Sequence, residues 1–280
     1  MKNVSAGLSK FLRNALWVFL LCLVFLGLFD GFQAANVLQI LQGPSWQAPM
    51  GTDSLGRDLL LRSLQGTATT LAVGLLAALV SFLLGVFLGA FSGWYGGWMD
   101  LLIQRLTEVI TALPSFVFVS LILFLSSEIF QEAWSSFAGS IFIVGISIGL
   151  SSWTQICRLT RALMLKERNL PYVESARSIG RTEADIMLKH IFPNLIPTLL
   201  IAVANQIPQL MLFEGFLSFV GLGLRAPLNS WGLLIRDGWR QLATYPHLLF
   251  GPALLIVVLL YLVQRFFVSS SRQVASRDHF

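Results

Sequence analysis

Gly145-Ile-Ser147-Ile-Gly149 has the G-x-S-x-G spacing that, at a sharp turn from strand to helix, presents a serine hydroxyl for attack on an acyl carbon. Its surroundings argue against that chemistry. The pentad lies among Ile, Val and Leu, no strand pattern precedes it, and no histidine stands at that depth to take the proton. Two glycines four apart on an apolar helix instead make a face for close helix packing. The other reactive side chains are as sparse. His190, His247 and His279 fall in loops and the tail, at no metal-ligand spacing. Cys22 and Cys157 lie in or at the end of apolar stretches, where they read as small apolar side chains rather than a disulfide or zinc framework. No glycine-rich phosphate loop ending in Gly-Lys-Ser/Thr occurs, so any ATP used must be bound elsewhere. No catalytic residue and no metal ligand is assigned.

Three polar groupings remain. Glu108 and Glu214 are carboxylates near opposite ends of apolar stretches; each reads as a gate or polar lining, or as a buried hydrogen-bonding strut. Pro114 follows Glu108 by six residues. Asp53, Arg57 and Asp58 read as an ion-paired turn, or as a contact surface for another chain. The third grouping is a basic stretch with Tyr172, Glu174, Ser175, Ala176, Arg177, Gly180 and Arg181, running on to His190-Ile-Phe-Pro193-Asn194. It reads as a short helix that another protein can approach closely, with Gly180 removing a side chain where backbones meet and Pro193 helping to start the next helix.

What must position these groups is membrane helix. Over 280 residues the chain is 55% hydrophobic and 12% charged, with mean hydropathy +0.74. Soluble domains carry roughly 25% charged residues, so the solvent for most of this surface is lipid. One all-α integral membrane domain is expected over 15–268, between a cytoplasmic segment 1–14 and a cytoplasmic tail 269–280. Six apolar stretches suit spans: 15–32, 69–91, 106–125, 137–156, 195–217 and 248–268. The first resembles a signal peptide, but Gln33 stands where cleavage wants a small residue, and an uncleaved helix is expected. With the N-terminus inside, fourteen of the 19 Lys and Arg fall on cytoplasmic segments, seven of them in the loop 158–193. Basic loops of this kind account for the pI near 9.6 without nucleic acid.

Gly85, Gly89, Gly93 and Gly97 predict a helix–helix seam on the second span, and Trp94, Tyr95 and Trp98 an interfacial belt at its end. Residues 228–247, with Trp231, Trp239 and Tyr245, are too polar to span and are expected to lie at the outer surface as an amphipathic segment.

The chain resembles the permease subunits of binding-protein-dependent ABC importers, and within them the C-type subunit of the dipeptide/oligopeptide/nickel branch. Gly51-Thr-Asp-Ser-Leu-Gly-Arg-Asp58 is similar to that branch's G-T-D-x-x-G-R-D signature. Glu174-Ser-Ala176 with Gly180 and Ile191-Phe-Pro193-Asn194 resembles the family's EAA loop. Leu217-Ser-Phe-Val-Gly-Leu-Gly223, flanked by Glu214 and Trp231-Gly232, resembles its L-S-F-L-G-L-G stretch. The resemblance covers about residues 50–252. It implies a type I, MetI-like permease fold in the bacterial inner membrane, with both termini cytoplasmic. It implies as partners a homologous second permease in a heterodimer, two cytoplasmic ATPases that hold the ATP and magnesium, and an extracytoplasmic solute-binding protein. The helix at 172–182 would couple the chain to an ATPase, with Arg177 and Arg181 pairing acidic ATPase residues or serving orientation alone. Di- or oligopeptides are the implied cargo, with nickel chelates and glutathione-like solutes open.

Departures are Ser175 for Ala, Glu108 for Asp, Phe250-Gly251-Pro252 for F-P-G, and Gln264-Arg265 to Asp278-His279-Phe280 in place of G-D-x-L-R-D-x-L-D-P. An ion-coupled secondary carrier is the other reading, and the scarcity of midplane ionisable groups weighs against it. Since Ser147 is assigned no chemistry, Ser147→Ala is expected to transport at the wild-type rate; a loss of more than about tenfold in uptake would restore the nucleophile reading.

Overall fold

The computed structural model describes residues 36–275. The predicted first span, 15–32, and the segment 1–14 lie outside the described residues, as do Cys22 and His279.

The frame is a pair of long helices, α1 (Leu59–Tyr95) and, later in the chain, α5 (Phe137–Arg168). At 1.5 Å per residue these are about 55 and 48 Å long, well beyond a hydrocarbon core of about 30 Å. Both therefore continue past their apolar windows. They run in the same direction and touch along most of their length, and glycine is what lets them approach. A Cβ on Gly145 would lie 2.8 Å from the Leu76 side chain, and one on Gly149 2.6 Å from Val80 Cβ. Further along, the glycines change helix: Gly85 faces Ile156, Gly89 faces Thr160 and Gly93 faces Met164. Each helix thus supplies the gap in one half of the seam and the knob in the other. Ser147, inside the pentad, is buried and donates to the Ile143 carbonyl within its own helix at 2.7 Å.

Gly97 does not belong to this seam. It opens the next helix at φ +60°, with nothing near where a Cβ would lie. The four-residue spacing ran one glycine too far because α1 ends at Tyr95 and the chain reverses at Gly96. Trp94 also departs from the expected belt. It is buried in the core, whereas Tyr95 and Trp98 are exposed.

The predicted span 106–125 is two helices, α2 (Gly97–Ala112) and α3 (Ser115–Ile129), bent by 93° at Leu113-Pro114. Proline lacks the N–H and forces its predecessor out of helical geometry, so the break falls there; Leu113 is extended, with ψ 136°. A short helix, α4 (Gln131–Ser135), leads into α5. Beyond α5 come α6 (Pro171–Ser178), α7 (Glu183–Ile186) and a π-helical turn, Met187–Ile191. The chain re-enters the bundle as α8 (Phe192–Val220), with Pro193 in its first turn as anticipated. Then follow α9 (Trp231–Arg240) and α10 (His247–Ala275). Among the described residues three helices are long and apolar enough to cross a membrane, four if α2 and α3 form one span; α10 adds a shorter apolar stretch, His247–Tyr261.

Two cores fill the bundle. One, built on Val73, Ala77, Val119, Ile148, Met211 and Leu217, lies between α1, α3, α5 and α8. The other gathers Val86, Trp94, Met164, Leu195 and Leu199 with Val173 and Ile186 from the polar loop. That second core fixes the loop to the helix ends. Gln206, at the middle of α8, ties the three long helices together: it accepts from Ser81 Oγ at 3.0 Å and donates to the Ser152 carbonyl at 3.0 Å.

Filling the seam should be costly. Gly89→Val would place carbon 2.7 Å from Thr160 Cβ and against the Cys157 carbonyl; overpacking of this kind costs about 1–3 kcal/mol. A lower midpoint in a detergent thermal-unfolding assay is expected, with Gly43→Ala, which has open space around it, unchanged.

Candidate functional site: the helix on the basic loop

Leu170 precedes Pro171 in extended geometry, and Pro171 at the first helical position sets the backbone for α6. Val173 is the inward-facing residue, fully buried against the ends of α1, α5 and α8. Burying an aliphatic side chain of this type is worth about 1.5–3 kcal/mol. Tyr172 donates its hydroxyl to Glu167 at 2.6 Å; burial and that carboxylate push the phenol up to about 12, so it stays protonated across the physiological range. Glu174, Ser175, Arg177 and Ser178 are exposed and Ala176 partly so. A one-residue anchor thus holds a polar face outward.

Gly180 has a physical role within this chain as well. Nothing lies within 4 Å of where its Cβ would be, so no backbone of this chain meets it. Its φ is +85°, the left-handed conformation that ends a helix, and the Gly180 and Arg181 amides close the turn onto the carbonyls of Arg177 and Ala176. Glycine is needed to stop α6 and turn the chain.

Arg177 and Arg181 are already occupied. Arg177 makes two bonds to Glu183, 2.8 and 3.1 Å, and its guanidinium lies 5.6 Å from the Trp94 ring centroid. Arg181 pairs with Asp185 at 2.9 Å, and Lys189 pairs with the same carboxylate. These guanidinium and ammonium groups hold the Glu183 and Asp185 carboxyls below the usual carboxylate range. A depressed carboxylate contributes above its ordinary value and is lost as pH falls through the lowered one, so the loop stays cross-tied at neutral pH. Both arginines thus brace the loop; Glu174, Ser175, Ser178 and Ile179 are exposed outside these ion pairs, with the two serine hydroxyls donating to carbonyls of their own helix.

Ile179 was missed from the sequence. Its side chain is 82% exposed at the tip of α6, an apolar residue among polar neighbours. The signal was available: one isoleucine between a serine and the helix-ending glycine in an otherwise hydrophilic stretch.

Beneath the loop, a polar staple fixes the α1–α2 reversal to α5. Arg161 binds Asp100 through two 2.6 Å bonds, and Ser92 and Gln104 extend the network. Arg168 donates to the Trp94 carbonyl at 2.9 Å, satisfying an open carbonyl where α1 ends.

The other expected site residues lie elsewhere. Glu108 is exposed on α2 and pairs with Arg105 at 2.7 Å. Pro114 makes the 93° bend. Glu214 is fully buried: Thr70 and Ser218 donate to its two oxygens at 2.7 and 2.6 Å. The Trp231 amide donates to Thr70 in turn, and its indole N–H to Thr67. This is the strut arrangement, joining α1, α8 and α9. Gly232 lets α9 press onto α8, where a Cβ would lie 2.6 Å from the Phe219 nitrogen.

Asp53, Arg57 and Asp58 build the turn into α1. Asp53 accepts from the amides of Leu55 and Arg57 and pairs with the guanidinium groups of Arg57 and Arg62. Asp58 caps α1, accepting from Leu60 N at 2.8 Å. Arg62 then reaches Asn229 and Asp237, carrying the turn across to α9. Arg62, Asn229 and Asp237 are the partners that sequence spacing could not reveal. No group of acidic, histidine or cysteine side chains suited to a metal occurs among the described residues.

The fold and these motifs match known transport proteins. Residues 85–276 match the model of the binding-protein-dependent transport system inner membrane component family. The chain belongs to that family of multi-pass inner-membrane permease components, which sets aside the ion-coupled carrier. It is 37% identical over 211 residues to the oligopeptide transport system permease protein OppC of Haemophilus influenzae, covering 75% of this chain and 64% of that one. It is 41% identical to OppC of Salmonella typhimurium, covering 75% and 66%. The matched stretch thus spans under two thirds of those relatives. Among solved structures, the inward-facing MetNI methionine ABC transporter superposes with a TM-score of 0.58 over 77% of this chain and 96% of that one, at 19% identity. The shared fold is the type I, MetI-like one.

Because φ is +85° at 180, Gly180→Asn, which tolerates the left-handed region, should keep transport within about threefold, whereas Gly180→Val should lower it at least about tenfold. Equal activity of both variants in an uptake assay would contradict the turn's importance.

Proposed function

We propose that this chain is one of two homologous permease subunits of an ATP-driven importer for di- or oligopeptides. The observation that carries the reading is the mounting of α6: Val173 locked into the core at the ends of α1, α5 and α8, with Glu174, Ser175, Ser178 and Ile179 facing out. A short element fixed on one side and free on the other transmits a rigid-body displacement into the bundle. One of two cytoplasmic ATPases, which hold the ATP and magnesium, seats on that face and the other on the second permease, while an extracytoplasmic solute-binding protein delivers cargo at the opposite end. Asp53, Arg57 and Asp58 border that opposite end and would support its contact surface.

The peptide cargo is supported by the oligopeptide permeases among the relatives. Cytoplasmic placement of the 158–193 loop and of both termini, in a bacterial inner membrane, is supported by the excess of Lys and Arg on those segments. The chain contributes the path and the lever, and the chemistry of hydrolysis belongs to its partners.

Two measurements test this. A membrane-impermeant maleimide should label Ser178→Cys in inverted vesicles and not in intact cells; labelling from outside alone would reverse the topology and end the proposal. In proteoliposomes with its partners, Ile179→Asp should insert normally yet lose about tenfold in binding-protein-stimulated ATP hydrolysis, as expected when a charge is forced into a packed protein contact.

A further inference from the structure

One face of α8 is out of place for lipid. Thr198, Asn205 and Gln209 fall on a single helical stripe, all exposed, and the stripe continues through Leu212 and Phe216. Asn205 and Gln209 flank Gln206, the midpoint of a 29-residue helix, and so sit near the middle of the bilayer. Neither amide has a hydrogen-bond partner among the described residues, in contrast to the neighbouring Gln206, which is buried and whose amide bridges α1 and α5. Burying an unpaired amide in hydrocarbon costs several kcal/mol per group. Two of them one turn apart at the middle of a membrane-spanning helix therefore face water or polar protein.

We infer that Asn205 and Gln209 line the aqueous path through the assembled importer and hydrogen-bond the backbone of the passing peptide. The chemistry fits that cargo. A primary amide both donates and accepts, as a peptide group does, and it carries no charge. It thus offers a partner to any peptide unit whatever the side chain, without the strong pairing that would trap one sequence. The stripe is polar from the basic end to the midpoint and apolar beyond, where Phe216 meets Phe116 of α3 at 5.4 Å. The amides are therefore the last polar groups on this face before its apolar end. This inference rests on the peptide-importer reading above.

The test uses the full assembly in proteoliposomes, with Cys22→Ser and Cys157→Ser as background. Asn205→Cys and Gln209→Cys should react with a charged methanethiosulfonate at least about tenfold faster than Leu254→Cys on the exposed face of α10, because the ion is excluded from hydrocarbon. A tripeptide supplied with its binding protein should slow both reactions about fivefold or more by covering the two positions. Asn205→Leu with Gln209→Leu should lower tripeptide uptake about tenfold. No reaction at 205 and 209 would show that the stripe is covered by the second permease or by lipid. Reaction without protection by peptide would show water but no cargo contact; either result overturns the inference. A wild-type assembly that imports no peptide would instead overturn the cargo assignment, and is seen without any substitution.

Discussion

The seam between α1 and α5 is the contact on which the rest of the molecule depends. In lipid there is no water to drive two apolar helices together, so close association must come from dispersion contacts at short range and from removing side chains that would hold the backbones apart. The exchange of glycines along this seam, from α5 at Gly145 and Gly149 to α1 at Gly85, Gly89 and Gly93, keeps the pair in contact from one end to the other. Two helices locked along such a length move as one body. Gln206 of α8 hydrogen-bonds to both, which adds the third long helix to the same unit.

Onto that unit the two polar ends are fastened by different chemistry. At the basic end, Arg161–Asp100 and Arg168 secure the α1–α2 reversal, and Val173 seats α6 on the helix tips. At the other end, Glu214 and Arg62 each join three segments through hydroxyl and carboxylate partners. A displacement applied at α6 therefore meets a stiff frame and not a hinge within the loop. The proposed coupling to an ATPase would draw on that stiffness.

Much of the site was readable because its residues carry local rules. Pro171 and Pro193 mark helix starts, and Glu174, Ser175 and Ala176 lie in a stretch too polar to be buried. The roles of Gly180, Arg177 and Arg181 were less legible. A glycine that admits close approach and one that adopts φ +85° look alike in a sequence. An arginine available to a partner is likewise indistinguishable from one held by Glu183 or Asp185 a few residues on, because the turn between them is a matter of conformation. Glu214 shows the same limit: a buried strut and a gate share one composition and differ in what surrounds them.

By itself, the sequence determined the solvent, the approximate helices and the family, since hydropathy, proline and small-residue spacing act within a few residues along the chain. Tertiary structure alone decided that Trp94 is core while Trp98 is surface, and that Arg62 pairs with residues far away in sequence. Those outcomes depend on which helix faces which. That choice is settled by packing between segments distant in the chain, which no local pattern records.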